Sequence, residues 1–230
     1  MSDKDATTPR VFLARHGETE WTISGRFTGV SDIQLTENGV KQVVGSASKL
    51  VGDGKLVDPA KIARVFVSPR QRAQKTFRLL FSSERGSLIE DRNVTTTEEI
   101  AEWGYGDYEG LVVEEIRELR KQRGLDKEKP WNIWRDGCEG GESAEQVANR
   151  LDALIEKIHN IQQPCMNGEA PADVVLVAHG HILRAFVKRW LKFPLDARLP
   201  LMMSPGAVGI LSYEHHHVDE PAIMVGMSLP

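Results

Sequence analysis

Cysteine is nearly absent from this chain: Cys138 and Cys165 are the only two in 230 residues. Two isolated thiols make no disulfide framework, and they lack the Cys-x-x-Cys spacing of redox or metal motifs. Long apolar runs are missing too, so no segment reads as a transmembrane helix. The first ten residues are polar and contain no apolar core of a secretory leader. An excess of positive charge is also lacking: 29 Lys and Arg stand against 33 Asp and Glu, a net charge of −4. That balance argues against nucleic acid or an anionic membrane as the partner. Finally, no Pro/Gly/Ser linker, charge block or internal repeat divides the chain, so residues 1–230 read as one domain. The expectation is a cytoplasmic protein, with the nucleus as a second compartment; a homo-oligomer is left open.

What is present is a pair of apolar runs that each end in histidine. Val11-Phe12-Leu13-Ala14 leads into Arg15-His16-Gly17-Glu18-Thr19, and Val174-Val175-Leu176-Val177-Ala178 leads into His179-Gly180-His181. A strand ending in Arg-His-Gly puts a cation and an imidazole on a loop with free backbone N–H groups, which suits a phosphate. Ligands of open α/β sheets bind at the carboxyl ends of the parallel strands. The two histidines can therefore share one site although most of the chain separates them.

The remaining pattern predicts strands alternating with helices. Residues 11–14, 62–68, 174–178, 207–213 and 222–227 read as strands, and residues 25–29 and 162–171 as loops. Thr36 caps a helix with an apolar stripe at Val40, Val43, Val44, Ala47, Leu50 and Val51. Residues 70–81, 114–123 and 182–191 read as helices, and residues 131–141 as irregular. Ser143 with Gln146 forms a capping box before the stripe Val147, Leu151, Leu154, Ile155, Ile158 and Ile161. The implied fold class is α/β, a mostly parallel central sheet with helices on both faces.

His16 is the candidate nucleophile, because a neutral imidazole can attack phosphorus and carry the phosphoryl group covalently. A lone histidine is more often a satisfied core group; Arg15, Gly17 and the strand-end position reverse that preference. His179 is its natural partner, while His181 is expected to pack at the start of the following helix. Arg15 and Arg72 offer bidentate forks to phosphate oxygens. Glu102 sits among apolar and aromatic neighbours, where burial would favour the protonated form and hold a proton for a leaving oxygen.

Together, Arg15-His16-Gly17-Glu18-Thr19, Ser68-Pro69-Arg70-Gln71-Arg72-Ala73, the Glu102 segment ending in Tyr108-Glu109-Gly110, Gly141-Glu142-Ser143 and Ala178-His179-Gly180-His181 resemble the histidine phosphatase superfamily, which includes the cofactor-dependent phosphoglycerate mutases. The motifs follow the family's order over nearly the whole chain. The resemblance implies a phosphoglycerate mutase-like fold, a phosphohistidine at His16, a phosphate pocket completed by Arg15, Arg72 and His179, and Glu102 as proton donor and acceptor. It implies no cofactor and no catalytic metal.

The stretch from Glu102 to Arg150, with Tyr105-Gly106-Asp107-Tyr108-Glu109-Gly110 and Lys129-Pro130-Trp131-Asn132-Ile133-Trp134, is similar to the fungal sedoheptulose-1,7-bisphosphatase branch. That likeness implies a small sugar bisphosphate as substrate. Phe27, Thr28, Trp103, Tyr105 and Arg184 are then candidate substrate contacts, and His215 or His216 a contact to the distal phosphate. The stretch between Leu191 and Gly206 is shorter than in that branch and is expected to border the sugar end. Mutases carry Arg in place of Trp103 and Asn in place of Thr22, so these departures favour hydrolysis over transfer. Adjacent histidines on a strand point to opposite faces, so the run His215-His216-His217 is not expected to converge on a metal. A broad phosphomonoesterase, or a silent binder of phosphorylated ligands, are the competing readings.

Overall fold

A computed structural model describes residues 7–83 and 86–226. The polar first residues, up to Ala6, and the end of the last predicted strand, Met227, lie outside the described residues. The elements run β1 (Val11–Arg15), α1 (Glu20–Ser24), α2 (Glu37–Leu50), β2 (Ile62–Val67), α3 (Gln71–Leu80), the small hairpin β3 (Ser82–Ser83) and β4 (Gly86–Ser87), then β5 (Val94–Thr96). They continue with α4 (Val113–Gln122), α5 (Ile133–Asp136), α6 (Ala144–Gln162), β6 (Asp173–Ala178), α7 (Gly180–Trp190), β7 (Val208–Tyr213) and β8 (Pro221–Ile223).

Six strands make one sheet in the order β5-β2-β6-β1-β7-β8. The first four are parallel; β7 pairs antiparallel with both β1 and β8. Side chains alternate across the sheet, as a strand period of two requires. Val11 and Leu13 of β1, with Val174 and Leu176 of β6, face a core completed by Leu151, Leu154 and Ile158 of α6 and Phe186 of α7. Phe12, Ala14, Val175 and Val177 face the other side, against Val43 of α2 and Ala73 and Leu80 of α3. Both faces are covered, which explains why β1 and β6 read as unbroken apolar runs.

The predicted caps are present. Thr36 accepts from the N–H of Gly39 at 2.9 Å. Ser143 and Gln146 close a reciprocal box at 3.1 and 2.8 Å. Several elements differ from expectation: α1 and the β3–β4 hairpin are additions, and the strand expected over residues 222–227 ends at Ile223. Residues 131–141 contain the short helix α5, capped by Asn132 onto Trp134 N–H at 3.0 Å. The three-residue strand β5 is too short to leave a period. The run at residues 214–220 is a turn, not a continuation of β7, and His215 and His216 both have left-handed φ values of 51° and 55°. Among the described residues no helix is long and apolar enough to cross a membrane.

Candidate active site

The parallel register sets the site. Val67 pairs with Val177, and Arg15 with Ala178, so β2, β6 and β1 end side by side. The ladder runs one step further: Ser68 N–H donates to Val177 and His16 N–H to Ala178, both at 3.0 Å. Ser68, His179 and His16 are thereby delivered to one edge. Gly17 and Gly39 allow the loop after β1 to press onto the start of α2, since a Cβ on either would collide with backbone carbonyls.

His16 is 4 % exposed. Its Nδ1 lies 2.7 Å from the Gly17 carbonyl, which can only accept, so the proton sits on Nδ1 and Nε2 keeps its lone pair. Burial, with Arg72 and Arg15 adding to it, pushes its pKa down to about 3 against the opposing pull of the Gly17 carbonyl. The imidazole is neutral at physiological pH. The ring of His179 stands beside it, edge-on, with centroids 5.1 Å apart. Arg72 Nε donates to His179 Nδ1 at 3.1 Å, so the single ring proton of His179 is on Nε2, which donates to Ser68 Oγ at 2.6 Å. Burial first, and Arg72 second, hold His179 well below the usual histidine range.

A cavity of about 160 Å³ opens over His16. It is lined by Arg15, His16, Phe27, Thr28, Glu102, Tyr105 and Arg184 among the expected residues, and by Trp21, Thr22, Arg26 and His181. Arg15 donates to the Met203 carbonyl at 2.5 Å, and Arg184 Nε to the Leu201 carbonyl at 3.1 Å. The stretch between Leu191 and Gly206 thus borders this cavity through its main chain. The Nε–H of Arg15 is buried with no hydrogen-bond partner among the described residues. Arg15 lines the cavity, so its guanidinium has donor capacity to spare for an anion bound there.

Glu102 is 7 % exposed. Its surroundings are not apolar, as the sequence suggested: the carboxylate accepts from Trp103 N–H at 3.0 Å, His181 N–H at 3.1 Å and Ile182 N–H at 2.8 Å. The last two belong to the first turn of α7, whose own N-cap, His179, gives no side-chain cap. A carboxylate at that helix end meets free N–H groups and the positive end of the helix dipole. The Glu102 segment is held by Glu142, which accepts from Gly104 N–H at 2.7 Å and pairs with Arg150 at 2.7 Å.

Three expected contacts are not brought to the cavity. Trp103 is fully buried and donates its Nε1–H to the Glu142 carbonyl at 2.9 Å; consecutive residues here face opposite ways, Glu102 to the cavity and Trp103 into the core. His215 and His216 lie at the other edge of the sheet. Because β7 is antiparallel to β1, its carboxyl end meets the amino end of β1, with Leu211 opposite Val11. His215 pairs with Glu220 at 2.7 Å, and His216 reaches Thr8 Oγ1 at 2.8 Å. Glu214, His215 and Glu220 could offer three metal-ligating atoms within 4.8 Å of one another, on that distant exposed turn. A larger hollow of about 370 Å³, lined by Arg10, Cys165 and Asp173, also lies at the amino edge, away from His16 and His179. Arg72 is corrected in part. It reaches the site through Nε on His179, but its other two nitrogens face the carbonyls of Thr28, Gly29 and Ser31 at 2.8–3.1 Å.

A neutral strand-end histidine, a second one beside it, two arginines and a carboxyl group on a parallel α/β sheet define a site for phosphoryl chemistry. The sequence model described as Histidine phosphatase superfamily (branch 1) matches residues 11–222. The chain is similar to sedoheptulose 1,7-bisphosphatase of Saccharomyces cerevisiae, 37 % identical over 94 % of this chain and 92 % of the yeast protein. It is also similar to an acid phosphatase of Mycobacterium tuberculosis, 35 % identical over 90 % of this chain and 87 % of that one. A solved structure of an open reading frame product from Mycobacterium tuberculosis superposes with a TM-score of 0.73 at 30 % identity, covering 94 % of this chain and 96 % of that one. The chain belongs to the histidine phosphatase superfamily. It is a phosphoric monoester hydrolase.

Proposed function

We propose that residues 1–230 act as one cytoplasmic domain that removes a phosphate from a small sugar bisphosphate, with sedoheptulose-1,7-bisphosphate as the leading substrate. The observation that carries the chemistry is His16: a neutral imidazole with its proton held on Nδ1 by Gly17 and the lone pair on Nε2, beside a cavity that Arg15 lines. Nε2 attacks phosphorus, the P–O bond to the sugar breaks, and Glu102 passes its proton to the departing alkoxide. The Glu102 carboxylate then takes a proton from water as the water oxygen attacks phosphohistidine. Inorganic phosphate leaves and His16 is restored. Arg15 steadies the charge on the transferring oxygens, and His179 and Arg72 fix the inner wall. Arg184 adds a second cation in the same cavity, which suits a second phosphate.

The likeness to the yeast bisphosphatase supports this substrate. The mycobacterial acid phosphatase supports a second reading, a broad phosphomonoesterase built on the same core. Comparing kcat/KM for sedoheptulose-1,7-bisphosphate, fructose-1,6-bisphosphate and a panel of monophosphates decides between them. A clear preference for the seven-carbon bisphosphate is expected, and a flat profile would transfer the protein to the broad class. Substrate labelled in the scissile phosphate should leave acid-labile label on the wild type and none on His16→Ala with an unchanged circular dichroism spectrum.

A further inference from the structure

His181 has no part in the steps above, yet it lines the same cavity as His16 and Glu102. Its main-chain N–H is a donor to Glu102 Oε2, which places its side chain next to the group that protonates the leaving oxygen. The ring is not loose. Its Nδ1 lies 2.7 Å from the Tyr105 hydroxyl, and Phe27 and Trp134 flank it with centroids at 5.3 and 5.5 Å. Tyr105 is 2 % exposed and packs edge-on against Phe27 at 4.8 Å, so the phenol is itself fixed. Burial is the main influence on the imidazole and keeps it neutral, with Arg184 and Arg15 acting in the same sense and Glu102 against them.

A neutral, oriented imidazole is a poor partner for a phosphate oxygen when two guanidinium groups stand in the same wall. It is a good partner for a neutral hydroxyl, which can both donate and accept. Arg15 and Arg184 therefore divide the ligand with His181: the charged oxygens go to the arginines, and an uncharged oxygen near the ester goes to the histidine. We propose that His181, held by Tyr105, recognises a hydroxyl on the leaving group next to the scissile ester, and so selects phosphorylated polyols over plain alkyl phosphates. A site built to hydrogen-bond a substrate hydroxyl rejects the analogue that lacks it, because its own polar atom is then left unpaired. The inference rests on the phosphatase reading and narrows its substrate class; it does not depend on which sugar is preferred.

The test uses two monophosphates with leaving groups of equal carbon length, glycerol 1-phosphate and n-propyl phosphate. Wild-type kcat/KM should favour the glycerol ester by at least about tenfold. His181→Ala and Tyr105→Phe should each cut that ratio severalfold or more, and His181→Gln, which keeps a polar atom near the position of Nε2, should recover part of it. Tyr105→Phe retains the packed ring, so it reports on the hydrogen bond if His181→Ala folds poorly. A wild-type ratio near one overturns the proposal. So does an equal loss on both esters in the variants, since the pair would then act through Glu102 or the fold. If the ratio behaves as expected but sedoheptulose-1,7-bisphosphate is not hydrolysed, the substrate assignment falls and the hydroxyl-reading pair stands.

Discussion

Arg72 and His179 are joined by a 3.1 Å hydrogen bond from guanidinium Nε to imidazole Nδ1, and this bond fixes which nitrogen of His179 carries its proton. The same arginine holds the 28–31 loop through three carbonyls. Arg72→Lys keeps the charge and loses the fork. It should lower kcat by roughly 10²-fold through the release of His179, the scale of a small misplacement of a group at the site. It should also destabilise the protein by roughly 2–3 kcal/mol through the orphaned carbonyls. Steady-state kinetics and urea unfolding of the variant check both; a normal kcat with lowered stability would reduce Arg72 to a loop strut.

Glu102→Gln is expected to depress kcat for sugar phosphates by roughly 10²–10⁴, the usual worth of general acid catalysis, with a smaller change in KM. An aryl phosphate, whose leaving group needs no proton, should lose much less. Equal losses on the two substrates would mean that Glu102 orients the helix or the ligand and transfers no proton.

Arg184 shares the cavity with Arg15 and is half-buried. Arg184→Ala should cost a bisphosphate substrate about 1.5–3 kcal/mol in kcat/KM, the range for hydrogen bonds to charged groups. A small monophosphate has no distal group to lose, so the selectivity between the two should narrow. The same fold loss on both would assign Arg184 to the reacting phosphate.

Acid should weaken this protein through its buried histidines. His16, His179 and His181 are all held below the ordinary histidine value of 6.5 by burial, His16 down to about 3. The native state therefore stays neutral at these positions while the unfolded chain takes up protons. Stability is at its full value above pH 6.5 and declines as pH falls, by about 1.4 kcal/mol per pH unit for each such histidine within its window. For His16 the decline continues to about pH 3. Urea midpoints measured from pH 8 to pH 5 should drop, and His16→Asn should flatten the drop. A pH-independent midpoint across that range would contradict the neutral assignment.

The strands that carry His16 and His179 were legible because a strand buried on both faces is apolar throughout and ends abruptly at glycine. Their side-by-side register follows from the parallel sheet, so the pairing of the two histidines was legible as well. The direction of β7 was not. Period-two alternation tells which face a residue occupies and says nothing of which edge a strand runs toward, so His215 and His216 were expected at the wrong end. Two of the three partners of Glu102 were equally hidden, since they are main-chain groups of a helix far along the chain. His181 had a signal, the repeated histidine in His179-Gly180-His181; what could not be read was that Tyr105 would turn its ring toward the cavity.

The carboxylate of Glu102 does for α7 what an N-cap residue does for other helices, although it comes from a different part of the chain. A negative charge at a helix start is worth about 0.3–1 kcal/mol, and that contribution disappears when the charge is neutralised. Order in the first turn of α7 and the position of the Glu102 carboxylate are consequently tied together. Packing around α7 can in this sense move a group of the cavity wall, and it is open to substitutions that never touch the substrate.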